Sequence, residues 1–190
     1  MLKQLRSAAV VLLVFGVLTG ILYPLSITGL SQLIFPSQAN GSLIEKNGQA
    51  VGSVLIGQEF TDPHYFWGRL SDTSGEPYNA SASGGSNYSV MNPSLQNQVQ
   101  ARIKALQQAD PGNTQPIPVD LVTASASGLD PDISIAAAEY QAPRIARSRG
   151  IRLDEVSTMI QEKTRSRILG FLGERVVNIL ELNLALDALK

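Results

Sequence analysis

Cysteine is absent from this chain of 190 residues, which excludes disulfides, thiolate metal centres, a cysteine nucleophile and a lipoprotein anchor. Histidine is almost absent: His64 stands alone. A mononuclear zinc site normally draws on two or three His or Cys side chains, so metal chemistry would fall to carboxylates, and no metal site is expected. No lysine follows a glycine anywhere, so the G-x-x-x-x-G-K phosphate loop is missing. The G-x-S-x-G elbow and the S-x-x-K pair of serine hydrolases are missing too. Neither sign of charge dominates: 15 basic against 16 acidic residues give a net −1, with nothing to draw the chain toward nucleic acid.

One stretch lacks charge altogether. Between Arg6 and Glu45 there is no Asp, Glu, Lys or Arg, and Ala8 to Leu30 carries 13 Val, Leu, Ile or Phe. At roughly −0.3 to −0.6 kcal/mol each, these favour membrane insertion by about 4 to 8 kcal/mol. As a helix the stretch is about 35 Å long, enough for a hydrocarbon core of about 30 Å. Pro24 is expected to kink its outer end or mark the interface, beside Tyr23 as an aromatic anchor. Ser37-x-Ala39 has the residue sizes of a signal-peptidase site but lies too far beyond the start of the apolar run, so the span reads as a retained anchor. Lys3 and Arg6 precede it and only Lys46 closely follows, which predicts a cytoplasmic N-terminus. The expected order is a cytoplasmic segment 1–7, a transmembrane helix 8–30, a linker 31–39 and one extracytoplasmic α+β domain 40–190. After the span, 13 basic and 16 acidic residues give the domain a net −3, a mild bias that would concentrate cations without caging them.

Within the domain, Asn47-Gly48 between two apolar segments predicts a β-hairpin with a type I′ turn. Residues 58–91, rich in Gly, Ser, Asn and Pro, have no helical period and read as a long structured loop. Asn92 as N-cap and Pro93 open a helix with Leu95, Val99, Ile103 and Leu106 on one face. Residues 119–125 read as a strand, and 132–141 as a short helix capped by Asp132 or Ser134. Pro143 is expected to break or restart that helix, which closes on Gly150. A further helix buries Leu153, Val156 and Ile160. The last one has Asn178 and Glu181 at capping-box spacing and an apolar face of Leu180, Leu184 and either Leu186 or Leu189.

Candidate chemistry is sparse. His64 reads as a loop residue packed against Tyr65, Phe66 and Trp67, and that aromatic run as a partner-binding patch or a local core. Arg144, Arg147, Arg149 and Arg152 form an anion site, a solvated face or a complement to a helix C-terminus. Gly16 and Gly20 make a small-x3-small pair in the span, suited to a helix contact. The word ASASG occurs twice, at 80–84 and 124–128. Its flanks differ and neither copy carries the lysine of a phosphate loop, so both read as tight backbone turns through Gly84, Gly85 and Gly128.

The segments YPLSITGL, QANGSLIEKNGQAVGSVLIGQEF, YFWGRLS, ASGGSN, NPSL, VTASASGLDPDIS and VVNILELNLALD occur in the order seen in the C chain of the bacterial potassium-transporting Kdp ATPase. The chain resembles that family over nearly its whole length. The resemblance implies a non-catalytic accessory subunit in the cell membrane. Its partners would be a potassium-selective channel-like subunit, a P-type ATPase subunit, a small single-span subunit and membrane lipid, with no nucleic acid. K+ would be the transported ion, and ATP and Mg2+ would belong to the pump subunit. Family descriptions of a catalytic chaperone that raises ATP affinity imply nucleotide contact by Gln58 or Gln141. The charge bias instead places the domain away from ATP, so that influence would be indirect. An anchored enzyme using His64 or Ser127, and a direct nucleotide-contacting subunit, are the alternatives. The motif residues expected to touch a neighbouring subunit or hold the structure are Gly57, Gln58, Phe60, Arg69, Ser83, Gly84, Gly85, Ser86, Asn87, Thr123, Ser125, Ser127, Gly128 and Asp130.

Overall fold

The uncharged N-terminal stretch forms one helical run. In the computed structural model, which describes residues 2–189, α1 (Leu2–Val17) continues through a π-helical turn (Leu18–Leu22) into α2 (Tyr23–Ile34). The run of 33 residues is about 50 Å long, well over the roughly 30 Å of bilayer hydrocarbon. Among the described residues it is the one helix long and apolar enough to cross a membrane, and none of its side chains is buried by the protein, as a segment solvated by lipid requires. Pro24 accounts for the π turn. It lacks an N–H and its ring crowds the carbonyl four residues back, and the turn before it widens so that the Tyr23 N–H donates to Leu18 O, five residues away. The helix then continues past Leu30, and a short turn, α3 (Pro36–Ala39), follows it.

The chain divides into two compact units, Met1–Ile44 and Glu45–Lys190. At the division β1 (Leu43–Lys46) and β2 (Gln49–Ser53) form the expected hairpin, with φ of 55° at Asn47 and 76° at Gly48, the signs a type I′ turn needs. In the second unit residues 54–91 hold only a 3-10 turn (Ala80–Ala82). α4 (Pro93–Ala109) starts where Asn92 Oδ1 accepts the Ser94 N–H at 2.9 Å and turns Leu95, Val99, Ile103 and Leu106 inward. Beyond it come β3 (Asp132–Ser134), α5 (Ile135–Arg149), α6 (Leu153–Lys163), β4 (Thr164–Arg165), β5 (Val176–Asn178) and α7 (Ile179–Ala188). The sheet is antiparallel in the order β3-β5-β4, with Ile133 opposite Val177. The class is the α+β expected.

Several local expectations give way to packing. Residues 119–125 are not a strand: Val119–Leu121 is a 3-10 turn and only Ala124 bridges, to Leu70. Thr123 Oγ1 donates to Val119 O at 2.8 Å, a local bond that competes with strand pairing, and Leu121 is drawn fully into the core. Asp132 and Ile133 belong to β3, so Ser134 is the cap, its Oγ accepting the Ala137 N–H at 3.0 Å. α5 runs unbroken through Pro143; burial of Ala138, Gln141, Ala142, Ile145 and Ala146 on both sides outweighs the roughly 3 kcal/mol an interior proline costs. Gly150, at φ 67°, closes it as expected. Leu153 is exposed and Met159 takes its place in the α6 stripe. In α7 Leu180 and Leu186 are buried as expected and Leu184 half-buried, while the deepest side chains, Ile179, Leu182, Asn183 and Leu186, lie partly round from that face. Asn178 caps the helix through Glu181 N, and Leu189 stays outside.

The aromatic run resolves as core, not as a surface patch. Phe66 and Trp67 are buried in a segment that pairs with no strand among the described residues, and two buried amides supply the missing ladder. Asn183 Oδ1 accepts the Phe66 N–H at 2.9 Å and its Nδ2 donates to Phe66 O at 3.0 Å. Gln141 repeats the pattern on Trp67 at 2.8 and 3.1 Å. Removing either amide strands two buried backbone groups, each costing about 1–3 kcal/mol. Asn183→Ala is therefore expected to lower the stability of the full chain in detergent by roughly 2–5 kcal/mol, while exposed Tyr88→Ala stays within about 0.5 kcal/mol. Denaturant unfolding followed by tryptophan fluorescence checks both.

Candidate functional site

The two ASASG words lie against each other. Leu70 and Ala124 form a parallel bridge, and the Ser125 N–H donates to Leu70 O at 3.1 Å. This sets the second word beside the loop that carries the first. Ser127 O then accepts both the Gly84 N–H at 2.9 Å and the Ser83 hydroxyl at 3.0 Å. Approach this close needs glycine. A Cβ on Gly85 would stand 2.8 Å from Ala126 O, and one on Gly128, already at φ 68°, would stand 2.7 Å from Gly84 O. A Cβ on Gly84 would meet only Ala82 O, at an ordinary contact distance of 3.9 Å.

A second layer fixes the pair from below. The Gly128 carbonyl accepts Ser71 Oγ at 2.6 Å, and Ser71 Oγ in turn accepts the Tyr78 N–H at 2.8 Å. Tyr78 donates its hydroxyl to Arg69 O at 2.6 Å; burial pushes its pKa up to about 12, so it remains a donor at neutral pH. Arg69 bonds Asp130 at 3.0 Å and Ala124 O at 3.2 Å. Asp130 also accepts the Asp132 N–H at 3.0 Å, and buried Gly57 donates to Leu129 O at 2.9 Å where any side chain would meet the Tyr78 ring. Asn87, at φ 51°, donates to Gly85 O at 2.9 Å. Ser86 is half-buried beside it, and Ser125 is buried with an Oγ that has no partner among the described residues.

Most of the sequence-derived motif residues thus converge on one double loop. The others do not. Thr123 bonds within its own turn. Gln58 donates to Val51 O at 2.7 Å, and Phe60 stacks on Tyr65 with ring centroids 5.6 Å apart. Gln141 lies far from a surface role: it is 1% exposed, and its amide serves Trp67, Ala137 and Arg144. Gly16 and Gly20 sit on the apolar helix with open space around them. Sequence reasoning missed Ser71 and Tyr78, because isolated polar residues in a loop carry no period.

The arginine cluster is neither one solvated face nor an anion site, because each member is committed separately. Arg144 is buried, donates to Pro63 O and Gln141 Oε1, and lies 4.9 Å over the Trp67 ring; burial lowers its pKa to about 10. Arg102 lies over the same ring at 5.1 Å and donates to Leu121 O and Gly68 O. Arg147 pairs with Asp110, and Arg149 with Asp187 at 3.0 Å. Arg152 holds Glu155 at the start of α6. His64 bonds Asp62 at 2.7 Å and its carbonyl accepts Arg149 Nε at 2.7 Å, a structural loop contact. Near the double loop, Arg69, Asp120, Asp130 and Asp132 line an open cavity of about 550 Å³. Each of its carboxylates accepts an internal hydrogen bond, and burial raises the Asp132 pKa.

Comparison with known proteins gives concordant matches. The profile of a family described as "KdpC: K+-transporting ATPase, c chain" matches residues 5–188. A protein of Herpetosiphon aurantiacus named potassium-transporting ATPase KdpC subunit is 58% identical over 185 residues, 97% of this chain and 96% of its own length. Proteins of the same name from Polaromonas naphthalenivorans (60% over 186 residues, 98% and 95%) and Methylococcus capsulatus (56% over 190 residues, 100% of both) are similarly close.

The loop pair predicts a contrast between adjacent glycines. Gly85→Ala and Gly128→Ala, which force a Cβ onto backbone oxygen, should each lower the unfolding free energy of the chain by about 1–3 kcal/mol. Gly84→Ala should change it by less than about 0.5 kcal/mol. Thermal unfolding of the three variants in detergent, showing equal losses, would overturn the packing assigned to the pair.

Proposed function

The chain belongs to the KdpC family, the c chain of K+-transporting ATPases, and from that membership we propose that it is the non-catalytic assembly subunit of its complex. On this reading its outer domain lies on the extracytoplasmic side, near the potassium entrance. It stabilises the channel-like and P-type ATPase subunits together, and the small single-span subunit with them. Lys3 and Arg6 on one flank of the span against Lys46 on the other support that orientation. The observation that carries the reading is the use made of the motif residues. The two ASASG loops are bonded to each other, and the Gln141 amide is closed around Trp67 and Arg144, which supports a packing role for these groups.

ATP and Mg2+ then belong to the pump subunit, and any effect of this chain on ATP affinity runs through the pump's conformational equilibrium. Such an effect needs only that the chain bind one pump conformation more tightly than another; a preference of about 1.4 kcal/mol gives a tenfold shift. Side chains at the outer rim of the double loop, including exposed Ser83, Asn87 and Ser127, are the proposed family-specific contacts.

Topology provides the decisive measurement. The chain has no native cysteine, so Ser127→Cys introduces a unique thiol on the exposed loop. An impermeant maleimide should label it in intact spheroplasts. Labelling only after lysis would place the domain with ATP and restore the direct-contact alternative. Cells lacking the chain should also fail to grow at limiting potassium and yield no detergent-stable complex.

A further inference from the structure

The apolar span carries an unpaired backbone group at its centre. Thr19 stands midway along the run 8–30, about 16 Å from either end at about 1.5 Å per residue. Its carbonyl would ordinarily accept the Tyr23 N–H, but that group donates to Leu18 O across the π turn. Five residues beyond Thr19 stands Pro24, which has no N–H to give. The Thr19 carbonyl is therefore left without a backbone donor among the described residues. The hydroxyl of the same residue is spent elsewhere, donating to Phe15 O at 2.7 Å. Widened turns of this kind in helices frequently mark functional sites.

A backbone acceptor is costly to leave unpaired in hydrocarbon, and its depth selects the donor. Acyl chains carry none, and lipid headgroups and bulk water lie beyond both ends of the run. What remains is a polar side chain on an adjacent transmembrane helix. The face around the carbonyl admits one. Gly16, Thr19, Gly20 and Tyr23 follow the i, i+3, i+4, i+7 spacing of a single face, and nothing outside the helix's own backbone stands within 4 Å of where a Cβ on either glycine would be. A second copy of the span suits the site poorly: side by side and parallel, it sets carbonyl against carbonyl at this depth, with its Thr19 hydroxyl again spent on Phe15 O and its Tyr23 a turn further along the helix. We infer that the π turn is a polar docking point within the membrane, where Thr19 O accepts a hydrogen bond from a hydroxyl or carboxamide side chain on a transmembrane helix of another subunit of the Kdp complex. This rests on the reading of the chain as an assembly subunit.

The test uses the full chain, alone and in the assembled complex, in lipid bilayers. Thr-Gly occurs only at Thr19-Gly20 and Thr28-Gly29, so threonine labelled with 13C at its carbonyl, together with 15N-labelled glycine, isolates these two carbonyls by solid-state NMR. Thr28, inside α2, is the internal reference. In the chain alone the Thr19 carbonyl should resonate upfield of Thr28, and on assembly it should move downfield toward it. Pro24→Ala restores the missing N–H and frees that of Tyr23, so its Thr19 carbonyl should match Thr28 before assembly. The partner's donor then loses its acceptor, and co-purification of the other subunits should fall about threefold or more, with the unfolding midpoint reported by Trp67 unchanged. Tyr23→benzoylphenylalanine, on the same face, should cross-link to another subunit on irradiation. A Thr19 carbonyl that matches Thr28 in the unmodified chain alone or stays upfield on assembly, undiminished co-purification of Pro24→Ala, or cross-linking only to lipid or to a second copy would each overturn the proposal. These outcomes leave assembly by the chain intact; failure of the unmodified chain to co-purify with any subunit would instead remove the assembly reading.

Discussion

The domain that follows the apolar helix depends on two buried amides that stand in for a β-strand. Phe66 and Trp67 lie in the middle of the core, and their backbone N–H and C=O groups cannot stay unpaired there. Gln141 from α5 and Asn183 from α7 satisfy all four. Once fixed, the Trp67 ring supports two guanidinium groups, Arg102 and Arg144, and Arg102 ties α4 to the carbonyls of Gly68 and Leu121. A loop without a ladder of its own thereby becomes the strut between three helices. The polar groups involved are high-stakes, since a half-satisfied network costs more than an apolar one of the same shape.

The double loop is a continuation of that strut. Residues 69–71 leave the core directly after Trp67, and Leu70 and Arg69 position the second ASASG word while Ser71 and Tyr78 hold it from below. Close backbone approach at Gly85 and Gly128 lets the first word lie on the second. The repetition of small residues therefore has a packing reason: two turns that touch through their backbones both need short side chains. The copies are separated by α4 in sequence, so the contact between them is visible only in three dimensions.

Local signals carried much of the fold. Asn47-Gly48, Asn92-Pro93, Ser134, Gly150 and Asn178 act at their own positions through turn and cap chemistry, so each could be read without knowledge of the rest. Pro143 and residues 119–125 could not, because burial decides them. Helix faces were legible to within one residue in α7, where leucine at many positions blurs the period. At the candidate site the glycines and Asp130 stood out by type, whereas Tyr78 and Ser71 matter through partners distant in sequence. Gln141 runs the other way: the resemblance offered it, with Gln58 as the alternative, as a nucleotide contact, and in the structure its amide clamps the Trp67 backbone.

Packing of this kind bears on how, on the proposed reading, a non-catalytic subunit can influence a pump. A partner shifts a conformational equilibrium only by the difference in its interaction free energy with the two states. A soft body adapts to both and loses that difference, while a stiff one keeps it. The domain is tied down where loops would ordinarily yield, at Phe66–Trp67 by amide clamps and at the double loop by the Gly84 N–H and Ser83 hydroxyl bonds to Ser127 O. In the proposed complex, neighbours cover the span, none of whose side chains is buried by the protein, and bind the domain, whose preference for one pump conformation is then kept. On the proposed reading, this is the physical route from a non-catalytic outer domain to the pump's use of ATP.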